Sequence, residues 1–364
     1  MTNLNCEEKN ICGLRRSDFK KTIDGKKTDL FILRNKRGTE LAVTNYGGAV
    51  AALMVSDKNG KYINVIQGHD TIDNIIHSAE PHLSTLVGRY ANRIAGGEFY
   101  LGGKRYQLAV NNGPNHLHGG PTGFHAKIWD ADMINGHTLK LHYHSQDGEE
   151  GFPGNLDVYI VYKLTDDNEF VIKYFASTDR MTIANLTHHG YYSLAGLDTP
   201  TPTVGECELI INADHYLPTD ETCIPTGEIA PVEGTPMDFR TPHRIGERID
   251  SDFDALRIGA GYDHCYVINK KEPGSLTHAA TCICHDSGIK MEMWTTEPGV
   301  QLYTANYNDG FAGWHGCTFP RRSAVCLEAQ RFPDTPNKGH FPTCVVRPGD
   351  EYSQTTIYKF TTED

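Results

Sequence analysis

Long apolar runs are missing from this chain of 364 residues. The strongest, Ala49-Val50-Ala51-Ala52-Leu53-Met54-Val55, is far shorter than the roughly 20 residues a helix needs to cross a bilayer. The opening Met1-Thr2-Asn3-Leu4-Asn5-Cys6 lacks the apolar core of a signal peptide, and Thr361-Thr362-Glu363-Asp364 carries no sorting signal. Basic runs are missing too. Lys plus Arg is 34 against 46 Asp plus Glu, a formal charge of −12, which argues against nucleic acid or an anionic membrane as partner. No glycine-rich phosphate loop follows a strand, so a nucleotide cofactor is not expected. The 10 cysteines are scattered, and Cys282-Ile283-Cys284 is not a zinc-knuckle spacing. A cytoplasmic protein with free thiols is the expectation, and the sequon Asn185-Leu186-Thr187 carries no weight in that compartment.

Helical periodicity is also scarce; what is present is alternation of period two. Leu156, Val158, Ile160, Tyr162 and Leu164 share one strand face, as do Phe170, Ile172 and Tyr174, then Leu139, Leu141 and Tyr143, then Ile289, Met291 and Met293. Turn residues separate these segments, as in Lys58-Asn59-Gly60, Phe152-Pro153-Gly154 and Arg347-Pro348-Gly349-Asp350. Short helices are expected after Thr71 and around His243 to Ile249. The pattern predicts an all-β protein, a large antiparallel β-sandwich with few short helices, whose concave face holds a ligand. With no repeat, linker or low-complexity tract, residues 1–364 read as a single domain, with 1–25 a peripheral N-terminal extension.

Several clusters carry chemistry. Arg89 and Arg93 lie four apart in Gly88-Arg89-Tyr90-Ala91-Asn92-Arg93. They read either as surface charges or, for Asn92-Arg93, as fixed donors for vicinal hydroxyls. His116 and His118 lie two apart, so on a strand they face the same way. They suit a metal clip completed by Glu328 or His189, as in a cupin, or a tight turn at Gly119-Gly120 beside a ligand. The adjacent His188 and His189 diverge, so at most one faces a given pocket. Tyr191 and Tyr192 read as core or as a sugar-stacking wall. Asp263 is a turn residue or an acceptor for ligand hydroxyls, and Gln301 adds an amide near a strand start.

Taken in order, these pieces resemble the aldose 1-epimerase (galactose mutarotase) family over most of the chain. The resemblance runs through Tyr46-Gly47-Gly48-Ala49, Gly88-Arg89-Tyr90-Ala91-Asn92-Arg93-Ile94-Ala95, Leu117-His118-Gly119-Gly120 and Asn185-Leu186-Thr187-His188-His189. It continues through Gly261-Tyr262-Asp263-His264, Pro298-Gly299-Val300-Gln301 and Cys326-Leu327-Glu328. It implies a galactose mutarotase-like supersandwich and cofactor-free, metal-free interconversion of the α and β anomers of free hexoses such as glucose and galactose, by a monomer or homodimer. It implies Glu328 as general base and His189 as general acid, acting from opposite sides of the sugar. His118, Asn92, Arg93, Tyr191, Asp263 and Gln301 would bind substrate. Departures fall at His188, Gly190 and Ser193, where the family usually reads Asn-His-Ser-Tyr-Phe-Asn, and at Ala329; they bear on sugar preference and rate. Two other readings stay open: a hexose-6-phosphate 1-epimerase on the same fold, and a sugar-binding protein without catalysis.

Overall fold

The computed structural model describes residues 10–198 and 203–363. Three antiparallel sheets make up most of it. A nine-stranded sheet runs Asp130–Asn135, Thr138–Ser145, Leu156–Leu164, Glu169–Thr178, Tyr352–Thr362, Ile289–Thr295, Thr277–Cys284, Glu208–Ile211 and His243–Arg244 in spatial order. Its inner face is the one expected from the alternation: Leu156, Val158, Ile160, Tyr162, Leu164, Phe170, Ile172, Tyr174, Leu139, Leu141, Ile289, Met291 and Met293 are all buried in one cluster. A four-stranded sheet runs Leu30–Arg34, Glu40–Thr44, Val50–Ser56 and Tyr62–Asn64. A five-stranded sheet runs Ala230–Pro231, His215–Tyr216, Asp263–Val267, Gly299–Tyr303 and Cys326–Gln330.

The apolar run at Val50–Ser56 has no polar face because it separates two apolar clusters. Val50, Leu53 and Val55 join the main core, while Ala51, Ala52 and Met54 join a second one. That second cluster holds Cys12, Leu14 and Phe19, and the Cys12 carbonyl accepts a hydrogen bond from the Trp314 indole at 3.3 Å. Of the segment expected to be peripheral, residues 1–9 lie outside the described residues; between Cys12 and Phe19 the side chains of Cys12, Leu14 and Phe19 pack inward while Arg15, Arg16 and Ser17 are exposed. The helices are single turns. Ile72–Ile76 starts at Thr71, whose hydroxyl accepts from the Asn74 amide, and Ile245–Arg248 and Asp254–Ile258 lie further on. No helix among the described residues is long and apolar enough to cross a membrane. The nine described cysteines are free thiols; Cys6 lies outside the described residues.

Candidate active site

The last three strands of the five-stranded sheet in spatial order, Asp263–Val267, Gly299–Tyr303 and Cys326–Gln330, are what position the site. Asp263 pairs with Tyr303, Cys265 with Gln301, and Gln301 with Glu328, and residues paired across an antiparallel ladder share a face. Asp263, Gln301, Tyr303 and Glu328 therefore stand on one side. Tyr266, Val300, Leu302, Leu327 and Ala329 stand on the other and join the main core. A cavity of 510 Å³, a size that holds a small organic molecule, opens against the polar side.

Loops bring the opposing wall. The Asn92 backbone N–H donates to His118 Nδ1 at 3.1 Å, and the His118 N–H returns a bond to the Asn92 carbonyl at 3.1 Å. Because Nδ1 accepts, the neutral His118 ring carries its proton on Nε2, as a donor. Both residues have positive φ, 65° for Asn92 and 52° for His118. Gly119 follows with φ 82°, and a Cβ there would lie 1.9 Å from the Gly88 carbonyl oxygen, so only glycine lets this turn close. Arg93 reaches the cavity held from two sides. Its Nε donates to Asn112 Oδ1 at 3.0 Å, and its Nη1 lies 3.6 Å from Asp263 Oδ2.

Adjacent residues in these loops part company. Arg89 is buried and donates to the carbonyls of Ser145, Gln146, Pro153 and Gly154 and to the Ser145 hydroxyl, so it clamps a turn and leaves the cavity to Arg93. His188 sits edge-on to Tyr162 and Phe170 in the core, while His189 lines the cavity. His116 binds the Ala109 carbonyl at 2.8 Å through Nδ1 and packs on Phe152. The shared strand face that a cupin-like metal clip needs is lost because the chain turns at His118. No group of three or more His, Cys, Asp or Glu among the described residues is arranged to hold a metal ion.

His189 Nε2 lies 3.6 Å from Glu328 Oε1. The two stand side by side on one wall, where the expectation put them on opposite sides of the sugar. Burial pushes both toward their uncharged forms. Glu328 rises well above the usual carboxylate range, through burial first and then the charges of Asp263 and Glu80; His189 falls to about 4, mainly through burial. Glu328 Oε2 and His189 Nδ1 are buried without a hydrogen-bond partner among the described residues.

Of the expected substrate-binding residues, Asn92, Arg93, His118 and Asp263 line the cavity with the Glu328–His189 pair. Tyr191 and Gln301 stand one layer behind. Tyr191 stacks on the His189 ring at 4.8 Å and 11°, fixing its plane. Gln301 donates to Asp263 Oδ1 at 2.7 Å and accepts from Gln330 at 3.2 Å, fixing the carboxylate. Further lining residues escaped the sequence reading, among them Glu80, His82, Asn111, Asn112, His125 and Tyr307. None sits in a periodic segment, so spacing alone carried no signal for them.

A family model described as aldose 1-epimerase matches residues 29–359. The chain belongs to the aldose 1-epimerase family. It is 42% identical to a galactose mutarotase from Mus musculus, over 87% of this chain and 90% of that one. It is 33% identical to an aldose 1-epimerase from Escherichia coli, over 93% and 97%. Among solved structures, an aldose epimerase homologue from C. elegans superposes with a TM-score of 0.84 at 30% identity, covering 93% of this chain and all of that one. A galactose 1-epimerase from Lactobacillus acidophilus gives 0.82 at 26% identity, covering 94% and 97%. The galactose mutarotase-like supersandwich is thus the fold of this family member.

Proposed function

We propose that this aldose 1-epimerase family member is an isomerase that interconverts the α and β anomers of free hexoses such as glucose and galactose. The observation that carries the reading is the 3.6 Å approach of His189 to Glu328 where both line an open cavity. The two oxygens of a hemiacetal hang on one carbon, so a donor and an acceptor for them must stand close together. In ring opening, one member of the pair takes the proton of the anomeric hydroxyl and the other gives a proton to the ring oxygen. The C1–O5 bond breaks as the carbonyl forms. Rotation about C1–C2 presents the other carbonyl face, and the same two groups reverse their transfers to close the ring. One proton shared by the pair serves both halves, so the site resets itself without a cofactor.

The resemblance gives Glu328 the basic role and His189 the acidic one. Burial favours the proton on Glu328 over His189, so which group gives first depends on the bound sugar. His118 Nε2–H and Arg93 supply donors where negative charge passes between the oxygens. Asn92 and Asp263 bind hydroxyls, and Tyr191 and Gln301 hold their neighbours in place. Among the described residues lining the cavity, Arg93 is the one Arg or Lys, against the carboxyls of Glu80, Asp263 and Glu328. A 6-phosphate needs a cluster of cations, so the free sugar is favoured over the phosphorylated one. Polarimetry of freshly dissolved α-D-galactose and α-D-glucose tests this. Wild type accelerates the drift to equilibrium at catalytic concentrations, and Glu328→Gln and His189→Asn abolish most of the acceleration. Relaxation at the buffer rate with wild type contradicts the reading and leaves sugar binding as the function.

A further inference from the structure

Glu80 and His82 form a second carboxylate–imidazole pair in the same cavity. Glu80 Oε1 lies 3.5 Å from His82 Nδ1 and accepts the His82 backbone N–H at 3.0 Å. Both contacts fall on Oε1. The His82 ring packs against His118 at 4.8 Å and His125 at 4.2 Å, with His82 Nε2 buried and unpartnered. Glu80 keeps 24% of its side chain exposed, at the cavity wall. Although burial opposes ionisation, the hydrogen bond and charge of His82 hold its carboxyl down at about 2.

Three carboxyls, Glu80, Asp263 and Glu328, line the cavity against one Arg or Lys among the described lining residues, Arg93. Asp263 is opposed by Arg93, and burial holds the Glu328 proton. His118 and His125 are pushed toward their neutral forms by burial, His125 to about 3. With both His82 contacts on Oε1, Glu80 Oε2 takes no hydrogen bond or ion pair among the described residues, and the charge of Glu80 is felt at both His189 and Glu328. Glu80 reaches toward His189 through a chain of rings, His82 on His118 at 4.8 Å and His118 on His189 at 5.3 Å, so on the mutarotase reading it flanks the anomeric carbon, whose hydroxyl-bearing neighbour in the ring is C2. Building on the mutarotase reading, we propose that this cavity accepts 2-amino-2-deoxyhexoses in their ammonium form, with Glu80 binding the ammonium. Glu80 is then a specificity-determining residue: it adds a charge-assisted hydrogen bond for the cationic sugar and repels anionic ones.

The test compares kcat/KM for anomer exchange of D-galactosamine, D-galactose and N-acetyl-D-galactosamine, followed by NMR at a pH where the amine is protonated. Wild type is expected to exchange galactosamine more efficiently than its N-acetyl derivative, and rising salt is expected to lower kcat/KM for galactosamine more than for galactose. In Glu80→Gln the galactosamine-to-galactose ratio falls about tenfold, through KM, and Glu80→Asp restores part of it. If Glu80→Gln does not fold, the salt titration of wild type decides. An unchanged ratio in Glu80→Gln, equal salt sensitivity for the two sugars, or exchange of galactose without galactosamine overturns the inference. A wild type that exchanges neither sugar overturns the mutarotase reading and this inference with it.

Discussion

The nine-stranded and five-stranded sheets use the same period-two alternation in different surroundings. In the first, Leu156–Leu164 alternates buried with part-exposed residues, so its polar side chains meet water. In the second, Gly299–Tyr303 and Cys326–Gln330 are buried throughout. A polar group on a buried face must be paired within the protein or be left for a ligand, because an unpaired one costs roughly 1–3 kcal/mol. The Gln330 amide donates to Gln301 and the Gln301 amide to Asp263, forming a row; Glu328 Oε2 takes no part in it. The contrast is between polar side chains that meet water at the sheet surface and polar side chains that are buried beside the cavity.

Substitution can break that contrast. Glu328→Gln is expected to lower kcat for galactose by about 10²–10⁴, the usual worth of positioned acid–base catalysis, with Tm held or raised because a buried ionisable group is gone. Leu141→Ala, on the inner face of the nine-stranded sheet, is expected to do the reverse. Chemical denaturation should show a loss of about 2–5 kcal/mol, while kcat per folded molecule is kept.

Acid should next strike the buried histidines. His188 falls to about 3, through burial first and then the charge of His189. The unfolded chain binds that proton near pH 6.5, so the stability is present above pH 6.5 and is lost as pH falls toward 3. By pH 5 His188 alone accounts for roughly 2 kcal/mol, and a Tm series across this range should slope downward. Gln301→Ala is a change of similar size. It leaves Asp263 and Gln330 short of a partner, costing about 1–3 kcal/mol of stability, and loosens Asp263, which is read as a higher KM for galactose.

The sheet residues were legible because burial writes itself into alternation. Glu328, His189, Arg93 and Asp263 were legible because they sit in stretches that match a family in order. Which side of Cys326–Gln330 faces the ligand was not, since both sides are buried and Gln301 and Tyr191 look like lining residues until the layers are seen. The Glu80–His82 pair was hidden for a different reason. Its segment, Glu80-Pro81-His82, has no period, and only the fold brings it beside His118 and His125. The side-by-side placement of Glu328 and His189 likewise depends on how the loop after Thr187–His188 meets the last strand of the five-stranded sheet, a long-range contact that local spacing does not encode.

The account stands on Glu328 and His189 handling one proton between them. The most direct measurement is kcat for α-D-galactose in Glu328→Gln, His189→Asn and the double variant. Groups that act as a unit lose their function once, so the double variant should be no slower than the slower single variant, within a few-fold. Losses that multiply in the double variant would contradict a shared proton and assign the two residues to independent tasks.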